Sequence, residues 1–119
     1  MRIWDIPCEY LCDKHLLGEH RELHCIWTFI TTNKGGSYKK HPETLRWFGK
    51  ERALADRHSE QIREMAKRGF KHKSDLLFDS NSAYSQAVQN EQWQTLKKQI
   101  KILKAKNCDC KLDKLIKKL

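Results

Sequence analysis

Within the stretch DKHLLGEHRELHCIW, His15 and Glu22 stand seven residues apart. At about 100° per residue, seven steps return almost to the same line on a helix. Glu19 and Ile26 flank that line, and an apolar stripe borders it. The pattern predicts a Glu22 half shielded at the edge of a core, the setting in which a carboxylate serves as a general acid or base. The alternative is a solvated or salt-bridged Glu on a helix that also carries Arg21. No G-x-S-x-G, P-loop, H-E-x-x-H or dense carboxylate cluster supplies another reactive set. The nucleophile that remains is the α-amine of Met1. With a pKa of about 7.7–8.0 against about 10.4 for Lys, roughly a tenth of it is neutral amine at pH 7. The opening MRIWDI carries apolar anchors at Ile3, Trp4 and Ile6, as if the position of residue 1 mattered.

The elements that must position these groups read as helices. Leu16, Leu23, Trp27 and Ile30 fall on one stripe of a helix over 13–32, with Asp13 as its N-cap. Asn33, Gly35 and Gly36 break it with a Lys-rich loop, and Pro42 restarts a helix at its first turn. Leu45, Phe48, Ala55, Ile62 and Ala66 carry that second helix to Gly69, its C′ residue, with Gly49 as a place to bend. Residues 70–83 have no sustained period and read as a crossing loop. A third helix starts between Ser82 and Asn90 and carries Trp93, Leu96, Ile100 and Leu103 opposite a Lys face. After NCDC, the segment KLDKLIKKL offers a last amphipathic turn through Leu112, Leu115, Ile116 and Leu119 that packs, binds a partner or frays. Without alternating β-branched runs the expectation is all-α: one small bundle of three main helices over 1–119, an anchored N-terminal segment, and a loosely packed tail over 107–119.

Composition points to the partner. Lys and Arg number 24 against 15 acids, a net charge of +9, which suits nucleic acid, an anionic membrane face or an acidic protein. No apolar run approaches the 18 or so residues of a membrane span, and no basic-then-apolar leader is present, so a cytoplasmic, DNA-associated location is expected. The five Cys (8, 12, 25, 108, 110) are odd in number and read as reduced thiols. A zinc site can be drawn on paper from Cys8, Cys12, Cys108 and Cys110 with His15 and His24 nearby. Neither Cys pair is a C-x-x-C, however, and CDC lies in a Lys-rich tail, so the spacing favours idle thiols and no metal.

MRIWD, then HLLGEHREL, then EMAKRGF together resemble the pyrimidine-dimer DNA glycosylases, the phage endonuclease V family, over roughly residues 1–75. His15, Leu16, Glu19, Arg21, Glu22 and Leu23 match the family helix motif in type and spacing. The resemblance implies attack of an N-terminal α-amine on deoxyribose C1′, with Glu22 as the catalytic carboxylate and Arg2, His15 and Arg21 holding DNA. It implies no cofactor. The phage enzyme loses its initiator Met to expose Thr, whereas here the large Arg2 predicts that Met1 is retained and supplies the amine. Where the phage enzyme has a basic residue after R-E-L, this chain has His24 and Cys25, and the family's aromatic C-terminal segment is replaced by Trp93 and a Lys-rich tail.

The expected partner is therefore double-stranded damaged DNA, bound by a monomer through backbone contacts from Lys34, Lys39, Lys40 and the third helix. Two rivals use the same residues differently. One is a non-catalytic basic module that binds nucleic acid; the other is a small interaction module whose KLDKLIKKL tail docks on a membrane or a partner helix.

Overall fold

A computed structural model describes residues 2–32, 36–72, 75–76, 84–89, 94–106 and 108–118. Met1, Lys34 and Trp93 lie outside the described residues, as do Ser82, Ala83 and Asn90 of the stretch assigned to the start of the third helix. The fold is all-α, with no strand among the described residues. A 3₁₀ turn at Cys8–Tyr10 leads into α1 (Asp13–Thr31), and a second at Gly36–Lys40 leads into α2 (Pro42–Trp47) and α3 (Glu51–Lys67). Then come α4 (Leu96–Ala105) and α5 (Leu112–Lys118).

Helix α1 follows its stripe: Leu16, Leu23, Ile26 and Trp27 are buried. Its N-cap is Cys12 rather than Asp13, which opens the first turn and pairs instead with Arg68 at 3.0 Å. The long second helix is two helices. Gly49, at φ 77°, breaks the chain between α2 and α3, a left-handed conformation that L side chains resist. Leu45 and Phe48, which fit the helical period, are 56% and 60% exposed, while Glu43, Thr44, Arg46 and Trp47 are buried. Pro42 starts α2 at its first turn as expected, and His41, whose Nδ1 accepts the Glu43 amide at 3.1 Å, is a cap the sequence did not suggest. Gly69, at φ 83°, follows the end of α3. The third main helix starts later than the pattern suggests, at Leu96 behind a Thr95 cap, and residues 84–89 are non-helical. They are held instead by side-chain contacts such as Ser85 N to Glu51 Oε2 at 3.0 Å. The tail packs: Leu112 and Leu115 of α5 are buried.

Two apolar clusters form the core. One gathers Trp4, Ile6, Cys8, Tyr10 and Leu11 with Leu16, Met65, Ile100, Leu103, Leu112 and Leu115. The other gathers Ile3 with Leu23, Ile26, Trp27, Trp47, Leu54 and Leu76. Adjacent residues of an extended chain face opposite ways. The N-terminal segment thus contributes Ile3 to one cluster and Trp4 and Ile6 to the other, and stitches the two together.

Candidate active site

The N-terminal segment runs through the molecule without a sheet partner, so its backbone groups need other partners. Side chains supply most of them. The amides of Trp4, Asp5 and Cys8 donate to Glu19 Oε2 (3.4 Å), Gln99 Oε1 (2.9 Å) and Glu60 Oε2 (2.8 Å). The carbonyls of Ile3 and Ile6 accept from Arg46 Nη2 and Arg57 Nη2, each at 2.8 Å. The Leu11 carbonyl accepts from Arg68 Nη2 at 2.6 Å, and that of Tyr10 from the Lys111 amide at 2.8 Å. Helices α1, α2, α3 and α4 all hold this one segment, mostly through charge-assisted bonds, the stronger kind.

Two buried ion-pair networks hold those side chains in turn. Arg46 donates through Nε to Glu43 Oε1 at 2.8 Å and through Nη1 to both Asp5 oxygens at 3.0 Å, and Trp47 Nε1 donates to the same Glu43 oxygen at 2.8 Å. Arg57 grips Glu19 with two bonds, Nε to Oε1 at 2.6 Å and Nη2 to Oε2 at 3.0 Å, and Gln61 Nε2 donates to Oε1 at 2.8 Å. Burial pushes the Glu19 carboxyl above its ordinary range, while Arg57, Gln61 and the Trp4 amide pull the other way. The sequence placed Glu19 as a flank of the Glu22 line and as a match to the family helix motif, with no role of its own. The structure makes it the anchored carboxylate of α1.

Glu22, one turn on, is half-buried, as its place at the edge of the core predicts. Among the described residues none hydrogen-bonds or ion-pairs with it. Its neighbour Leu23 packs with Ile3. Arg21 is exposed. Arg2 lies over the Trp4 ring, 4.1 Å from its centroid, and donates through Nη2 to Gln94 Oε1 at 2.7 Å. His15 is not drawn toward Glu22: its Nδ1 sits 3.1 Å from Cys12 Sγ and 3.4 Å from Cys110 Sγ. Lys40 is exposed and Lys39 half-buried on the turn before α2, beside Tyr38, whose ring stacks on Phe29 at 6.0 Å. Cys8 stands apart from the other N-terminal Cys, buried beside Glu60, and burial raises its thiol far above the ordinary range, which leaves it unreactive.

Asp5, Glu43, Arg46 and Arg57 were missed as site-building residues. HPETLRW carried the one available signal, a proline-started helix with Glu and Arg three apart.

A basic all-α molecule with a clamped N-terminal segment beside a half-buried carboxylate fits the class of DNA repair glycosylases. The chain belongs to the pyrimidine dimer DNA glycosylase family, whose model matches residues 1–78. That stretch holds the N-terminal segment and α1 to α3, while α4 and α5 lie beyond it. No curated protein and no solved structure matches the chain.

Proposed function

We propose that this protein excises pyrimidine dimers from double-stranded DNA and cleaves the strand at the abasic site it creates, with the α-amine of Met1 as nucleophile and Glu22 as acid/base. The amine attacks C1′, the C1′–N glycosidic bond breaks, and the bonding pair leaves with the base. Loss of the amine proton opens the sugar to an imine. Removal of a C2′ proton then expels the 3′ phosphate by β-elimination. Glu22 stabilises positive charge on the sugar and carries the protons. Exposed Arg21 and Lys40, with Lys34 and Lys39, contact phosphates, and the damaged site flips out where stacking is already weak. Arg2 and His15 take part less directly, since both already have partners inside the protein.

The observation that carries this reading is Ile3. It is 1% exposed and packs with Leu23 and Ile26, next to Glu22, and two residues of chain span at most about 7 Å. An amine two residues ahead of Ile3 therefore stays within reach of that part of α1. Borohydride reduction with abasic-site DNA is the test, because it freezes an imine as a covalent bond visible on a denaturing gel. Trapping is expected for the free N-terminus and for a C-terminally tagged chain, and lost on N-terminal acetylation, with the adduct mapping to Met1. An adduct on a Lys side chain, or trapping by acetylated protein, overturns the mechanism. Binding without any trapping favours the non-catalytic module.

A further inference from the structure

The second, fourth and fifth Cys of the chain converge where their spacing in the sequence offers little reason to expect it. The sulfurs of Cys12, Cys108 and Cys110 and a ring nitrogen of His15 all lie within 4.8 Å of one another. Bond lengths of about 2.3 Å for Zn–S and 2.0–2.1 Å for Zn–N put the S–N edge of a tetrahedral site at roughly 3.6 Å. The His15 Nδ1 to Cys12 and Cys110 distances, 3.1 and 3.4 Å, are close to that edge. A disulfide would use two of the sulfurs and leave the third sulfur and the imidazole unexplained. The Cys12 amide donates to Cys110 Sγ at 3.1 Å, a bond that orients a thiolate. Cys12 is the N-cap of α1, where the helix dipole favours negative charge. We propose that Cys12, His15, Cys108 and Cys110 bind one divalent ion of the zinc class. With four protein ligands the site is closed, hence structural, and it ties the start of α1 to the α4–α5 connection.

A separate set of observations carries a second site. His20 and His24 on α1, His58 on α3 and His72 beyond it bring ring nitrogens within 4.8 Å of one another. The network fixes which nitrogens face inward. Gln61 must turn its amide nitrogen to Glu19 (2.8 Å), so its oxygen faces His20 Nδ1 at 2.9 Å and that nitrogen is the proton donor. His72 Nδ1 lies 3.5 Å from Asp75 Oδ1, the carboxylate partner common behind metal-bound imidazoles. The Nε2 atoms of His20 and His72 are left to offer lone pairs, and that of His72 is buried without a hydrogen-bond partner among the described residues. The Nε2 atoms of His24 and His58 face each other at 3.2 Å. The N–N edge of a tetrahedral zinc site is roughly 3.3 Å. The geometry points to a second ion of the same class at His20, His24, His58 and His72, bolting α1 to α3.

The test uses the full chain, purified from zinc-supplemented medium and measured for metal by mass spectrometry. Two equivalents of zinc per chain are expected. Cys108→Ser with Cys110→Ser should lose one equivalent, and His58→Asn with His72→Asn the other. Cobalt(II) added to chelator-treated wild-type and Cys-substituted protein gives a second readout. The first site should give a thiolate-to-cobalt charge-transfer band, and the second should add tetrahedral visible bands that survive the Cys substitutions. A Cys12–Cys108 or Cys12–Cys110 disulfide in unreduced peptides, or no thiolate band, overturns the first site. One equivalent that vanishes with the Cys substitutions overturns the second, and metal-free protein that takes up no cobalt overturns both. None of these readouts depends on DNA cleavage.

Discussion

Glu19 and Glu22 share one helix of 19 residues and have opposite surroundings. The Glu19 side chain is fully enclosed and answers to Arg57, Gln61 and the Trp4 amide. Glu22 is half-buried with no partner among the described residues. Helical spacing puts both on the bundle side of α1, but it does not say which receives an arginine from a helix some forty residues away. Only the fold decides that, so the half shielding of Glu22 was legible from spacing, whereas the anchoring of Glu19 was not. The two carboxylates should therefore fail differently. Glu19→Ala removes the enclosed carboxylate from the buried Arg57 and leaves it only the more exposed Glu60 as an ion partner. Breaking a buried ion pair costs about 3–5 kcal/mol, and a urea titration should show a loss approaching that. Glu22→Gln should leave the urea midpoint unchanged and DNA binding within a few-fold, while strand scission falls by about 10²-fold or more, the scale of a lost acid/base. Near-normal scission by Glu22→Gln would remove that residue from the mechanism.

At the scale of elements, α1 was legible because its buried face is apolar, whereas α2 was not because its buried face is largely polar. Period-matching selects Leu45 and Phe48, yet the chain turns Glu43, Thr44 and Arg46 inward, since Arg46 must reach Asp5 and the Ile3 carbonyl. Helix α3 repeats the lesson with a buried line of Leu54, His58, Gln61 and Met65, half of it polar. Gly49 marks the break between these two helices, and its role can be separated from packing. A Cβ added at Gly49 or at Gly18 would meet nothing within 4 Å. Only the backbone then distinguishes them. Gly49→Ala should destabilise by about 1–2 kcal/mol, the cost of a left-handed L residue. Gly18→Ala, inside α1, should stabilise by about 0.5–1 kcal/mol. Urea midpoints that move in the same direction for both would show that φ at Gly49 does not govern the break.

For the whole molecule, the anchoring of the N-terminal segment was readable from Ile3, Trp4 and Ile6, but the contribution of the C-terminal helices was not. KLDKLIKKL taken alone is an amphipathic helix that suits a membrane, a partner or this protein's own core equally well. The fold chooses the core: Leu112 and Leu115 join the cluster of Trp4, Ile6 and Tyr10, the Lys111 amide bonds the Tyr10 carbonyl at 2.8 Å, and Lys104 pairs with Asp113 at 3.2 Å. This changes what removing residues 107–119 should do. If the tail were a docking device, the shortened chain would keep its stability and its chemistry. As part of the core, its loss exposes the surface beneath Leu112 and Leu115. At about 1.5–3 kcal/mol for each buried Leu, that is about 3–6 kcal/mol, a large share of the 5–15 kcal/mol that usually holds a domain together. The truncated protein should unfold at much lower urea, and Leu112→Ala with Leu115→Ala should reproduce most of the shift in the full-length chain. Because Trp4 lies in the same cluster, imine trapping should decline in step with the folded fraction of each variant. A truncated chain with an unchanged urea midpoint would return the tail to the role of a docking segment.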